Sequence, residues 1–401
     1  MPSMILRETR IVTTVNNGFS SVLPVITLAA PSADVNLAFG QLGSGYRQCS
    51  PAGRKSLRRQ RRVSSHLRVG AIMSKRYALA LAAALAVLVA SRAVGATTWQ
   101  SLAGAQSFDE AIQVEAFLPN ELWVHVGDSI TWTFPADEVH TVTFLKPGQV
   151  RPSNGAGCPG TTPDQSNFDG SACVNSGSLL EGRTYTVNFP TGGNFKVVCL
   201  VHANMTGAIH VLEQSEALPY QQTFYDDQAY TQRAGLLKDG AIQLGLLRAR
   251  AQQNPGYQVN AGSGEIVATG GGSHTVSVYR FTPESIVVNV GDTVEWTNLD
   301  PVTAHTVTFG TEPSGPLQPP SAGVTADSDG ARHAMFASPT DSLHSGFLVA
   351  APQDRIGLAQ ANLAVARFRV TFTTPGTFDY ICALHDEVGM TGQVIVHQAR
   401  R

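Results

Sequence analysis

Charge is scarce in this chain. Asp, Glu, Lys and Arg make up only 14% of its 401 residues, and the formal net charge is −2. With 43% hydrophobic residues there is enough apolar material for real cores, which excludes wholesale disorder. The apolar run from Tyr77 to Ala90 is 14 residues long, too short to span a bilayer as a stable helix. No His-x-His pair occurs, and nothing resembles a phosphate-binding loop, a nucleic-acid motif or a hydrolase triad. Beyond residue 96 there are only three Met (Met205, Met335, Met390) and four Cys. What is abundant is Gly and Pro, 38 and 22 residues, with Val and Thr, a composition that favours strands and turns. The length predicts two or three domains.

The small net charge is an average of unlike parts. Residues 1–96 carry 13 basic residues against Glu8 and Asp34, whereas 97–401 carry 15 basic against 28 acidic. The first segment ends in a basic stretch (Met73 to Arg76), the apolar run, and the small residues Val94-Gly95-Ala96. This is the pattern of a cleaved secretory signal at 73–96. Residues 1–72 lack hydrophobic periodicity and read as an over-extended start, or as an Arg/Ser-rich organelle transit peptide. The expected location is therefore periplasmic or secreted, with a thylakoid-type lumen as the alternative. The mature chain is acidic, which predicts docking to a partner with a basic surface, and neither nucleic acid nor a stable membrane span.

The remainder repeats itself. Val126-Gly-Asp-Ser-Ile-Thr-Trp132 recurs as Val290-Gly-Asp-Thr-Val-Glu-Trp296. His140-Thr-Val-Thr-Phe144 recurs unchanged as His305-Thr-Val-Thr-Phe309. Asn175-Ser-Gly177 parallels His344-Ser-Gly346, and Tyr185-Thr-Val-Asn-Phe189 parallels Phe368-Arg-Val-Thr-Phe372. Each copy closes on Cys-x-x-His, followed by a short alternating run. Alternation of apolar and polar residues between Gly, Pro and Asp predicts half-buried strands, so the fold class is all-β, with two antiparallel β-sandwich domains at 97–214 and 258–401. Between them, 215–257 reads as a helical linker or packing helix, although Gly235, Gly240 and Gly245 each weaken a helix.

Each copy offers an early His, a late Cys, a His three residues on, and a Met just beyond. These are His140, Cys199, His202 and Met205, then His305, Cys382, His385 and Met390. Two imidazoles and a thiolate with a weak axial thioether make a copper electron-transfer site, because the soft sulfurs suit Cu(I) and the imidazoles also suit Cu(II). Three-residue spacing lets the Cys and the second His reach one ion from a single strand end. Gly207 and Gly389 suit the sharp return of these loops.

At this point each repeat resembles a cupredoxin of the plastocyanin/azurin family, over about 120–214 and 276–397. The spacing from Cys382 to Met390 is similar to the plastocyanin pattern, and the shorter one from Cys199 to Met205 to the amicyanin pattern. The resemblance implies Greek-key sandwiches, two type 1 (blue) copper ions per chain and one-electron transfer. It also implies that His202 and His385 lie near an apolar surface patch. Many members carry Asn after the first ligand His; here Thr141 and Thr306 stand there, so the potentials do not transfer.

Of the other cysteines, Cys158 and Cys173 read as a disulfide in an exported protein. His125, His210, His274 and His397 read as ordinary polar positions. His333, Met335 and His344 sit in the second insertion and read as solvated loop residues, with an accessory copper site as the alternative. The function expected is a one-electron carrier between redox protein partners, which would dock through a basic surface, and not an enzyme. A two-domain copper enzyme (multicopper oxidase or nitrite-reductase-like) lacks its His-x-His marks here, and a copper buffering or delivery protein would want a more open, Met-rich site.

Overall fold

The computed structural model describes residues 95–152, 157–160, 165–253, 256–314, 319–350 and 365–398. The expected extension 1–72 and most of the expected signal segment lie outside the described residues. No described helix is long and apolar enough to cross a membrane.

The two repeats build the same pair of sheets. In the first, Thr98–Gln106 runs parallel to Ser129–Thr133, which pairs antiparallel with Thr184–Asn188. The facing sheet orders Glu121–His125, Thr206–Leu212, Gly193–Val198 and Thr143–Phe144. In the second repeat Gln258–Thr269, Thr293–Leu299 and Arg367–Phe372 form one sheet. Ser285–Asn289, Thr391–His397, Gly376–Ile381 and Thr308–Phe309 form the other. The alternation seen in the sequence is what buries one face of each strand: Ile130 and Trp132 point inward while Ser129, Thr131 and Thr133 stay partly exposed. Trp132 with Phe144, and Trp296 with Phe309 and Tyr380, centre two separate aromatic cores.

The repeats are joined by more than chain. Ile112–Leu118 pairs antiparallel with Gly272–Thr282, so a sheet runs continuously from one repeat into the other. Val114 lies opposite Val276 in that register. Even-numbered side chains from Ile112 to Leu118, with Val276 and Val278, form a third core on one face. Odd positions such as Glu115, and Tyr279 across the join, point to the opposite face.

A helix, Gln222–Gln253, covers the third core with Ala229, Leu236 and Leu244. Its glycines do not break it. Gly240 is there for space, since a Cβ would come within 2.3 Å of Ile112 and 2.9 Å of Val276. The segment between the domains is therefore a packing helix as well as a linker.

Candidate metal centres

Each Cys follows the last residue of a strand, Gly193–Val198 or Gly376–Ile381. Backbone hydrogen bonds then close the loop. Cys199 N–H donates to the Met205 carbonyl at 3.0 Å and Met205 N–H to that of His202 at 3.2 Å. In the second repeat Cys382 N–H donates to the Met390 carbonyl and Met390 N–H to that of His385, both at 3.0 Å. Gly389 takes a left-handed φ of 84° in that return. Gly207 serves differently: it lies in a strand, where a Cβ would meet the Asn120 carbonyl at 2.7 Å.

The early His comes from a separate strand end. His140 exchanges two backbone hydrogen bonds with Leu179, and His305 does the same with Leu348. This brings His140, Cys199 and His202 into one buried group, and His305, Cys382 and His385 into another, with the potential ligand atoms of each within 4.8 Å of one another. In both, the two Nδ1 atoms lie 3.1 Å apart. The thiol sulfurs sit 3.8 Å (Cys199) and 3.4 Å (Cys382) from Nδ1 of the second His. Met205 and Met390 are fully buried in the same cores as their cysteines.

The residues fit a metal by donor chemistry. Burial alone would raise both thiol pKa values, but the paired histidines outweigh it and hold Cys199 and Cys382 well below the ordinary thiol range. Thr141 and Thr306 each donate a backbone N–H to the sulfur at 3.3 Å. Their hydroxyls accept the N–H of Leu200 and Ala383 at 2.7 Å, tying the His strand to the Cys loop. Metal–imidazole bonds of about 2 Å can span the observed nitrogen separation.

The Ser of each repeated Ser-Gly supports the same strand: Ser176 accepts the N–H of Val142, and Ser345 that of Val307, both at 2.9 Å. Each early His also packs against a glycine at a strand irregularity. A Cβ on Gly104 would lie 2.4 Å from His140 Nε2, and one on Gly262 would lie 2.2 Å from His305 Nε2.

His202 and His385 do not themselves reach the surface: they are only 2% and 6% exposed, and their Nε2 atoms point at a third residue, Glu138. Its Oε1 lies 3.2 Å from His202 and its Oε2 lies 3.5 Å from His385. Burial would raise the Glu138 carboxyl, but the His202 hydrogen bond and the charges on His385, His202 and His140 hold it at about 2. Two further buried acids lie nearby. Asp300 stands 3.8 Å from His305 Nε2. Burial would lower the His305 pKa, but Asp300 and the Cys382 thiolate lift it to about 9. Glu115, pushed up by burial, accepts from Thr303 at 2.9 Å and from Tyr279 at 3.3 Å. The Tyr279 ring lies 4.2 Å from that of His385.

These acids went unread because none stands at a motif spacing. Their one signal was Glu115, an acid standing inside the otherwise uncharged strand Ile112–Leu118. Two arginines were missed likewise. Arg151 donates to the carbonyls of Ala203 (2.6 Å) and Cys199, and Arg280 donates to that of Val388 at 2.7 Å. Each clamps one metal loop.

The remaining residues are placed as follows. Cys158 and Cys173 form a disulfide, and Cys199 and Cys382 are free thiols. His333 and His344 lie in strands of opposite sheets, so with the exposed Met335 they do not converge. His344 is buried rather than solvated, with Nδ1 2.8 Å from the Thr308 hydroxyl. Among the described residues only the two His–Cys–His groups have metal-ligand geometry.

Sandwich, buried thiol and paired imidazoles together define a cupredoxin-type copper-binding domain. Residues 269–397 match the family of copper binding proteins, plastocyanin/azurin family, which places the second repeat of this chain in it. The first repeat is tied to the second by its sequence and its equivalent geometry. Solved structures similar to the chain include oxidised plastocyanin from Dryopteris crassirhizoma, at 22% identity over 35% of this chain and 98% of that one, TM-score 0.18. A copper(I) amicyanin variant matches at 19% identity over 28% of this chain and 81% of that one, TM-score 0.20.

Proposed function

We propose that this chain is an exported one-electron carrier with two type 1 copper sites, held by His140, Cys199, His202 and Met205 and by His305, Cys382, His385 and Met390. The observation that carries this reading is the duplicated, fully buried group of one low-pKa thiol and two imidazoles, each sulfur receiving a Thr N–H. Bound copper supplies the one-electron chemistry. The protein's residues supply rigidity: strand pairing at Leu179 and Leu348 fixes the early His, and the backbone-bonded loops fix the other donors. Burial keeps water out, so a change of charge at the ion meets little rearrangement.

Solvent meets the two loops at Val201 and Leu384, 43% and 38% exposed, rather than at the histidines. The acidity of 97–401 favours a partner with a basic docking surface, through steering that weakens with salt. Copper analysis with visible and paramagnetic spectra tests the proposal. Two coppers per chain, both type 1, are expected. A type 2 signal or a third copper would favour an enzyme, and a copper-loaded chain with no thiolate-to-copper band would overturn the reading.

A further inference from the structure

Carriers with a single site pass electrons outward, but here the outer nitrogen of each second His faces inward. His202 Nε2 and His385 Nε2 come from different repeats and meet the two oxygens of one carboxylate, Glu138. Their Nδ1 atoms face the cysteines of their own sites. One acid thus faces the outer nitrogens of both sites, hydrogen-bonded to His202 and in ion-pair contact with His385. The repeat supplies only one such acid: Thr303 stands two residues before His305, where Glu138 stands two before His140, and its hydroxyl turns to Glu115.

We infer that Glu138 couples the two sites into one electron-exchanging pair, along the route His202–Glu138–His385. The inference rests on the copper reading above. In the exchange one electron leaves a reduced site and arrives at the oxidised one; Cu(I) and Cu(II) trade places, no bond breaks, and both Nε2 protons stay on their imidazoles. No outside oxidant or reductant is consumed. Glu138 acts here as a positioning residue. It holds the His202 ring by a charge-assisted hydrogen bond and the His385 ring by ion-pair contact, and fills the gap between them with bonded atoms in place of solvent. The Tyr279 ring closes one side of the route against His385. The chain would then hold two electrons and share them internally, and either loop would serve as a port for both.

The test uses the full copper-loaded chain. One electron per chain is injected by pulse radiolysis, and the redistribution between sites is followed, with Cys199→Ser and Cys382→Ser chains assigning each site's spectrum. The wild type is expected to show a redistribution phase whose rate is independent of protein concentration. Glu138→Gln and Glu138→Ala should slow that phase at least tenfold, with both coppers bound and both spectra retained, which a merely structural role would not produce. In copper-free protein, the Nε2–H resonances of His202 and His385 should exchange slowly with water, and quickly in Glu138→Ala. Glu138→Gln, nearly isosteric, carries the test if Glu138→Ala fails to fold. An unchanged rate in Glu138→Gln with both sites filled would overturn the inference while leaving the copper reading standing. So would a wild-type phase that scales with protein concentration. Absence of the thiolate band in the wild type would instead remove the copper reading itself.

Discussion

Replacing Gly262 with alanine puts a methyl group 2.2 Å from His305 Nε2 and 2.3 Å from its Cδ2. The position also has φ of +82°, which a residue with a Cβ adopts at a cost of about 1–2 kcal/mol. His305 cannot simply swing away, because its backbone is pinned to Leu348, Tyr279 packs against its ring, and Asp300 faces its Nε2. Overpacking a rigid interior adds about 1–3 kcal/mol, so the expected total is about 2–5 kcal/mol. Gly291 is the internal control. Its φ is +95° but a Cβ there meets nothing within 4 Å, so Gly291→Ala should cost only the backbone part, about 1–2 kcal/mol. Both variants are compared by guanidinium unfolding of the copper-loaded chain, followed through tryptophan fluorescence and the visible band. Gly262→Ala should unfold at the lower denaturant concentration, and it alone should alter the band of the second site. Equal destabilisation by the two variants with an unaltered band would refute the claim that the glycine exists to admit the imidazole.

Three other outcomes follow from the same geometry. Cys199→Ser and Cys382→Ser should each remove about half of the thiolate-to-copper absorption, one sulfur of two; a variant that leaves it intact has lost a cysteine that binds nothing. In the helix, Gly235→Ala meets open space and should stabilise by up to about 1 kcal/mol, whereas Gly240→Ala should destabilise, its overpacking of about 1–3 kcal/mol outweighing the same propensity gain. Thermal melts of the two would rank the wrong way round if the helix did not press on Ile112 and Val276. Arg369 pairs with Asp327 and Asp329 on the second repeat, and its hydrogen bonds hold both carboxyls below their ordinary value. Carboxyls depressed in the folded state contribute stability above their unfolded pKa of about 3.9 and lose it as the pH falls. Urea midpoints should therefore drop more between pH 6 and pH 3 in the wild type than in Arg369→Ala, and equal drops would remove the network's role.

Much of each metal centre could be read along the chain. The His–Cys–His groups were legible because the Cys and the second His stand three residues apart on one loop, and the duplicated His-Thr-Val-Thr-Phe pentapeptide places the first His. The strands were legible because one-sided burial imposes a period of two, as in Ser129–Thr133. The helix was less so. Gly240 lowers local propensity, and only contact with Ile112 and Val276 shows that its missing side chain is what lets the helix dock. Glu138 was invisible for a different reason. An acid next to Asp137 in a turn-like stretch has no periodicity and no ion-pair partner at a short spacing; its partners are 64 and 247 residues further on.

The sequence by itself determined two copies of one sandwich, the residues of each His–Cys–His group, and the acidity of residues 97–401, because these depend on local spacing, periodicity and composition. Tertiary structure alone decided that the two centres face each other. That follows from the antiparallel pairing of Ile112–Leu118 with Gly272–Thr282. The pairing turns His202 and His385 away from solvent and toward one carboxylate, and no pattern within either repeat encodes the join between them.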